Sequence, residues 1–400
     1  MNFLKKELLY LANNYKTMSK VITKGEGIYL YDHMGNRYMD FMAGYSAINH
    51  GHCHPKIIDE LIKQSKKLTL CSRGFHNDKL GEYSEYICKL FNYDKILPTN
   101  TGVEAGEAAI KLARSYGYNV KKIDKYKAKV VVMHNNFWGR TITAASSSTD
   151  PLAYENYGPF TPGFIKIPFN NIDALVDVLS NSEEDICAVM LEPIQGEGGI
   201  NIPDKDYLKK VRYLCNVFEV LMICDEVQTG LGRMGSITAS EEFGVYPDVL
   251  LLGKALSGGM FPVSCCLTTE KIMENIAQGS HGSTFGGSPL ASAVAKRSLE
   301  VLLEENLIEN SKKMGEIFRE GLNSIVDESI KVRGMGLMNA LEFENKSKAD
   351  KMVDCLTNKG ILTRTTKDNV IRLTPPLIIN EKQIEDSLSR IENSLEMLNT

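Results

Sequence analysis

Leu221-Met222-Ile223-Cys224-Asp225-Glu226-Val227-Gln228 is the stretch on which the reading of this chain turns. Four apolar residues run directly into two carboxylates. That is the pattern of a buried strand ending at the carboxyl edge of a sheet, where α/β proteins place ligands. Twenty-nine residues beyond Asp225 a second apolar run, Val249-Leu250-Leu251-Leu252, ends in Gly253-Lys254. An ammonium at the end of a buried strand is costly unless it is paired or chemically used. Lysine loses its proton readily when desolvated, which suits it to attack on carbonyl compounds. An Asp at a neighbouring strand end could keep a pyridine nitrogen protonated and turn such a ring into an electron sink. Taken alone, these two residues fit a snorkelling lysine and a helix-capping aspartate equally well.

Outward from this centre, apolar runs alternate with helical patterns. Val130 to Met133, Ala188 to Leu191, Val220 to Cys224 and Val249 to Leu252 read as strands buried on both faces. Pro55 to Leu68, Leu80 to Phe91, Gly102 to Tyr116 and Tyr207 to Phe218 read as helices. Ile28-Tyr29-Leu30-Tyr31 and Arg37-Tyr38-Met39-Asp40-Phe41 flank a Met34-Gly35-Asn36 turn, a hairpin signal. After Gly287 a long helix to about Glu305 and a second helix precede strands near Val332–Phe343, Ile361–Arg364 and Val370–Leu373, and a last helix closes the chain. The predicted fold class is α/β: a large domain with a mostly parallel sheet covered by helices, plus a smaller α+β domain. The boundaries are an N-terminal segment at 1–44 that packs with the small domain, a large domain at 45–287 and the small domain at 288–400.

With 46 Lys and Arg against 50 Asp and Glu, the net charge of −4 excludes the concentrated positive charge of a nucleic-acid binder. No apolar run is long enough to span a bilayer. The stretch from Met1 to Asn14 carries lysines but no long apolar segment, so it reads as a surface helix and not a leader. Nine cysteines, with no CxxC pair, point to reduced thiols and a cytoplasmic location.

Further motifs surround the two strand ends. Asn100-Thr101-Gly102-Val103-Glu104 opens a helix whose N-terminal N–H groups can face an anion, although a merely capped helix has the same signature. His281-Gly282-Ser283-Thr284-Phe285-Gly286-Gly287 places hydroxyls among glycines; it either completes a phosphate site or forms a turn. Gly230-Leu231-Gly232-Arg233-Met234-Gly235 matches GxGxxG but does not directly follow its strand, so it fails as a dinucleotide fingerprint. Gly253-Lys254 fails as a phosphate loop, because Asp248 stands where a glycine is required and Ala255 where Ser or Thr is required. His50, His52, Cys53 and His54 sit between Gly51 and Pro55 and read as a polar turn; no metal site is expected.

Together these segments resemble the class III aminotransferases of the fold type I pyridoxal-phosphate enzymes. The resemblance runs through Tyr45–Asn49, Gly51–Pro55, Asn100–Ala105, Asn136–Thr141, Glu192–Glu197, Asp225–Gly230, Leu252–Gly259, Gly282–Gly287 and Ile371–Pro376, in that order. It implies pyridoxal 5'-phosphate as cofactor, held as a Schiff base on Lys254, with Asp225 on the pyridinium nitrogen and Gln228 on the ring hydroxyl. Phe137 and Val227 would sandwich the ring, with Trp138 beside it. Gly102 and Val103 would bind the phosphate together with Ser283 and Thr284. Thr284 would reach the phosphate of a neighbouring subunit, which implies a homodimer or higher oligomer with shared active sites.

The resemblance is nearest to members whose small-molecule substrates are L-ornithine and 2-oxoglutarate. Tyr15, Tyr45 and Arg140 match positions that hold the α-carboxylate and α-amino end of ornithine, so that its δ-amine reaches the cofactor. Arg372 would bind the α-carboxylate of 2-oxoglutarate and Arg140 the γ-carboxylate, while Glu197 masks Arg372 when ornithine is bound. A ping-pong cycle follows, with glutamate 5-semialdehyde, which cyclises to pyrroline-5-carboxylate, and L-glutamate as products. The sequence departs from the pattern around Tyr15, at His76 and at Ser288. Activity on N-acetylornithine, 4-aminobutyrate or lysine stays open as an alternative, as does a non-catalytic protein that retains the fold.

Overall fold

A computed structural model describes residues 3–181 and 185–398. At its centre, seven strands lie in the order Lys95–Thr99, Ser264–Thr268, Val249–Leu252, Leu221–Asp225, Ile186–Leu191, Lys129–Met133 and Phe164–Ile167. The last five pair in parallel; Ser264–Thr268 runs antiparallel to both of its neighbours. Every residue of Leu221–Asp225, Val249–Leu252 and Ile186–Leu191 is buried, which is why these strands show no alternation in sequence. The helix Gly102–Asn119 turns Ala105, Ala108, Ala109 and Ala113 inward, and small side chains let it pack closely on the sheet.

Two smaller sheets stand beside this one. Ile22–Glu26, Tyr29–Asp32 and Arg37–Asp40 form a meander to which Ile361–Leu362 adds a parallel fourth strand, so the beginning of the chain is stitched to its end. The other sheet is antiparallel, in the order Lys331–Met335, Met338–Glu342, Val370–Leu373 and Arg364–Lys367.

Two expected single strands are divided. The run Val332–Phe343 is a hairpin, because Gly336 at φ +51 allows a tight turn between its halves. The run Ile361–Arg364 is broken at Thr363, so Ile361–Leu362 joins the meander while Arg364 begins a strand of the other sheet. The long helix after Gly287 spans Pro289–Glu304 and lies against helices Pro55–Ser65 and Asp78–Phe91. Helix Pro55–Ser65 stops short of the expected Leu68, and Gly102–Asn119 extends beyond Tyr116.

The GxGxxG segment has a structural use. Leu231, Gly232 and Gly235 all adopt positive φ, and the resulting loop drives Arg233 into the interior with 0% exposure. Its guanidinium donates to the carbonyls of Leu337 (2.9 Å) and Pro375 (2.6 Å) and to Asn49 Oδ1 (2.6 Å). Burial lowers the guanidinium to about 9, which still leaves it charged at neutral pH. One cation thereby ties three distant segments together. Replacing it with an apolar chain of similar length strands three acceptors, each costing about 1–3 kcal/mol when buried unpaired. Arg233→Met should therefore destabilise the fold by at least about 3 kcal/mol, read as a lowered denaturation midpoint. A midpoint within error of the unsubstituted protein would contradict this role for Arg233.

Candidate active site

At the carboxyl ends of the central strands a cavity is lined by Gly102, Val103, Phe137, Trp138, Gly139, Glu192, Glu197, Asp225, Val227, Gln228 and Lys254. Lys254 follows its strand after Gly253 and takes φ +46, a left-handed conformation unfavourable for a side chain with a Cβ. The strained backbone turns the chain into a short 3-10 helix and directs the ammonium into the cavity, where protein encloses it. Burial lowers its pKa to about 8; Glu197, Asp225 and Glu192 oppose this, while Arg372 adds to it.

Three carboxylates share the space and divide by environment. Asp225 Oδ1 accepts the Val227 N–H at 3.0 Å. Burial raises Asp225 to about 6, against the Val227 N–H and the Lys254 charge, so it is ionised at neutral pH. Glu192 accepts N–H bonds from Phe137 (3.0 Å) and Gly196 (3.1 Å). Burial and the nearby Asp225 charge nevertheless push it to about 8, so it is mostly protonated. Burial would raise Glu197 as well, but Arg372 and Lys254 outweigh it and bring it to about 2. Arg372 Nη1 meets Glu197 Oε1 at 2.8 Å, and Gln228 Nε2 donates to the same oxygen at 3.2 Å. Thr366 Oγ1 accepts from Arg372 Nη2 at 2.7 Å and fixes the other arm of the fork.

One end of the cavity is prepared for an anion. Thr101 caps helix Gly102–Asn119 in a capping box: Thr101 Oγ1 accepts the Glu104 N–H, and Glu104 Oε2 accepts the N–H groups of Asn100 and Thr101. The N–H groups of Gly102 and Val103 are left as the free donors at the positive end of the helix. A Cβ at Gly102 would come within 2.8 Å of Val227 Cγ1, so the close approach of helix and strand end requires glycine. Elsewhere in the lining, Gln228 Oε1 is buried with no partner among the described residues. Free N–H donors, an apolar slot between Val227 and Phe137, an ionised Asp225 and an unmatched polar atom fit a flat, phosphorylated, hydrogen-bonding heteroaromatic group.

Other expected site residues stand at varying distance from this cavity. Trp138 is buried, donates Nε1–H to Ser147 Oγ at 2.7 Å and packs where a side chain at Gly106 would otherwise lie. Tyr45 sits beneath Arg372, with the guanidinium 5.1 Å from the ring centre. Arg140 is exposed, its guanidinium 5.5 Å from the Phe137 ring centre. Ser283 Oγ accepts from Asn100 Nδ2 at 2.6 Å, beside the helix N-terminus. Thr284 lines a separate groove with Leu70–Arg73, and Tyr15 is 63% exposed, so this single chain brings neither to Lys254. The histidines of the 50–54 segment take separate partners: Ser298 for His50, Asp40 for His52 and Glu305 for His54. Glu192 went unassigned in the sequence reading, although it follows an all-apolar strand just as the Asp225 pair does. Thr366 and Gly139 carry no such signal.

A lysine after one central strand, an aspartate ending the next and a helix N-terminus facing both define a pyridoxal-phosphate-dependent transferase of fold type I. The chain belongs to the family Aminotransferase class-III, whose profile matches residues 10–395, and its cofactor is pyridoxal 5'-phosphate. The ornithine aminotransferase, mitochondrial, of Drosophila melanogaster is 49% identical over 391 residues, covering 98% of this chain and 90% of the relative. The crystal structure of the ornithine aminotransferase from Toxoplasma gondii ME49 superposes with a TM-score of 0.97 at 42% identity, covering 99% of this chain and 95% of the other. An acetylornithine aminotransferase from Elizabethkingia anophelis superposes with a TM-score of 0.90 at 43% identity, covering 99% and 98%.

The Gly102 contact yields a direct test. Gly102→Ala pushes a methyl group into Val227 and should weaken retention of pyridoxal 5'-phosphate by at least about tenfold, measured by reconstitution of cofactor-free protein. Retention unchanged in the variant would mean that the helix N-terminus does not set cofactor affinity.

Proposed function

We propose that this chain transfers the δ-amino group of L-ornithine to 2-oxoglutarate. The products are L-glutamate and glutamate 5-semialdehyde, which closes to pyrroline-5-carboxylate. The observation that carries the reading is the Glu197–Arg372 pair, 2.8 Å apart at the cavity with Tyr45 against the guanidinium. When bound, pyridoxal 5'-phosphate supplies the carbonyl carbon that receives the amino group and a ring that spreads negative charge.

The residues of the chain then divide the work. Gly102 and Val103, with Ser283 and a partner's copy of the Thr284 loop, hold the phosphate. Asp225, ionised beside protonated Glu192, would hold the ring nitrogen protonated, and the partnerless Gln228 Oε1 would accept a hydrogen bond from the ring hydroxyl. Phe137 and Val227 would cover the ring faces and, with Trp138, exclude water. Lys254 Nζ holds the cofactor and, as a general acid and base, moves the proton at the δ-carbon of the donor.

Two substrates of opposite character are served by masking one charge. With Glu197 on Arg372, that guanidinium offers no free charge to a diamino acid. Its α-carboxylate and α-amine are then held outward by Tyr15, Tyr45 and Arg140. When 2-oxoglutarate enters, its α-carboxylate replaces Glu197 on Arg372 and its γ-carboxylate goes to Arg140. Because Glu197 titrates near 2, acid does not unmask Arg372 at any working pH; only a competing carboxylate does.

We further read the active form as a homodimer. In support, helix Phe3–Tyr10 buries none of its residues, and Leu8, Leu9, Tyr10 and Leu11 are exposed. Three units are proposed: 1–44, 45–287 and 288–400. The pairing of Met39 and Asp40 with Ile361 and Leu362 supports grouping the first with the last. The proposed compartment is the cytoplasm, and no helix among the described residues is long and apolar enough to cross a membrane.

Three predictions test this reading. The visible absorbance of the holoenzyme should be lost with L-ornithine and return with 2-oxoglutarate, and Tyr45→Ile should lower kcat/KM for ornithine while raising that for amines without an α-carboxylate. Preference for N-acetylornithine or 4-aminobutyrate over ornithine would overturn the substrate assignment. Capture of added cofactor by cofactor-free protein should accelerate roughly tenfold per pH unit from acid pH and level off above about 8, where the Lys254 amine is neutral. A flat profile would contradict an amine titrating there.

A further inference from the structure

Arg372 meets Glu197 with one arm of its fork. Nη1 lies 2.8 Å from Glu197 Oε1, and Gln228 Nε2 donates to that same oxygen, so Oε2 receives neither. Arg297, elsewhere in this chain, shows the alternative: its Nη1 and Nη2 donate to Glu304 Oε1 and Oε2 at 2.8 and 2.9 Å, as two parallel bonds. A parallel pair of this kind is the stronger form of an arginine–carboxylate contact. At Arg372 the second arm is taken, because Nη2 donates to Thr366 Oγ1 at 2.7 Å. The hydroxyl has one proton to give, and the carbonyl of Glu197 accepts it at 3.2 Å, with that of Gly196 at the limit of reach, 3.5 Å. Its lone pairs are thereby left to the guanidinium. The strand ladder skips Thr366: Thr365 pairs with Ile371 and Lys367 with Val370. A bulge of this kind re-aims a side chain that regular pairing would hold in alternation.

We infer that Thr366 is a specificity-determining positioning residue: by occupying one arm of Arg372 it keeps the Glu197 mask single-bonded, so that the carboxylate of the amino acceptor can displace it. The inference deepens the proposed function and rests on it, because it requires Glu197 to leave Arg372 when the acceptor binds. Arg372 is buried, so each arm needs an acceptor. Without the Thr366 hydroxyl the second arm is left to Glu197 Oε2, on a carboxylate already in contact, and the mask closes as a two-bond pair. The backbone under the mask is pinned from both sides. Glu192 Oε2 accepts the Gly196 N–H at 3.1 Å, and Arg333 Nε donates to the carbonyls of Gly199 and Ile200 at 3.2 and 2.9 Å. Unmasking therefore falls to rotation of the Glu197 side chain. A diamino acid needs the mask closed and a dicarboxylate needs it open; Thr366 sets that balance through Arg372.

The experiment measures calorimetric binding of glutarate to the holoenzyme, alongside the L-ornithine half-reaction. Glutarate has the two carboxylates of 2-oxoglutarate and no carbonyl to react. Thr366→Val, which keeps the branched shape and loses the hydroxyl, should raise Kd for glutarate by at least about tenfold. The ornithine concentration giving the half-maximal rate should not rise with it. Thr366→Ser, which keeps a hydroxyl, should return the glutarate Kd to within about threefold of the unsubstituted enzyme. In a Glu197→Gln background the freed arm has no second carboxylate oxygen to take, and Thr366→Val should change that Kd by less than about threefold. An unchanged glutarate Kd in Thr366→Val overturns the inference, as does equal weakening of glutarate and ornithine, the mark of general damage. So does a tenfold effect that persists in the Glu197→Gln background, where the hydroxyl would be orienting Arg372 directly and not limiting its mask. Glu197→Gln alone should tighten glutarate. If it does not, the masking step of the proposed function fails and the inference with it, whereas tightening there with no response to Thr366→Val removes the inference only.

Discussion

A cation enclosed at the end of a hydrophobic strand sets the terms for everything around Lys254. Such a charge is untenable in isolation, and here Asp225, Glu192 and Glu197 gather about it with Arg372 as a second cation. The carboxyls are not equivalent. Two N–H bonds fail to keep Glu192 ionised beside Asp225, whereas the arginine fork holds Glu197 ionised under any ordinary condition. The result is one neutral acid, two anions and two cations within a single cavity, each in the state its neighbours dictate.

That balance is assembled from separated pieces of chain. Asp225 and Lys254 come from adjacent parallel strands, whose register fixes their spacing. Glu197 comes from the loop after the next strand, and Arg372 from a different sheet altogether. Their meeting depends on the contacts that dock that antiparallel sheet. Arg233 is prominent among these, reaching carbonyls at Leu337 and Pro375 from the loop that follows Asp225. The charge network and the docking of the sheets are therefore one problem in packing.

How far this was legible in sequence follows from the nature of each signal. The central strands were readable because burial on both faces leaves an uninterrupted apolar run, as in Val249–Leu252. Strands Lys95–Thr99 and Phe164–Ile167, at the edges, carry lysine or partly exposed residues and gave no such run. The hairpin hidden in Val332–Phe343 was lost because its turn is made by one glycine in an otherwise strand-like stretch. At the site, Asp225 and Lys254 announced themselves as charges at the ends of apolar runs, and family resemblance supplied roles for their neighbours. Thr366 stayed unread because it stands in a bulge between Thr365 and Lys367, and only the folded strand brings its hydroxyl to Arg372, which no linear pattern displays. The GxGxxG match shows the converse: glycines chosen for positive φ can imitate a ligand-binding signature while serving only to bury an arginine.

The left-handed backbone at Lys254 has a consequence for descent as well as for chemistry. Glycine is the residue that this φ suits best, and an apolar or absent side chain is what the cavity wall would favour. Many replacements of Lys254 would therefore yield a chain that folds more securely while doing nothing. Selection on stability alone would erase the lysine. The fold gives no reason for a lysine in so unfavourable a place; its chemistry does.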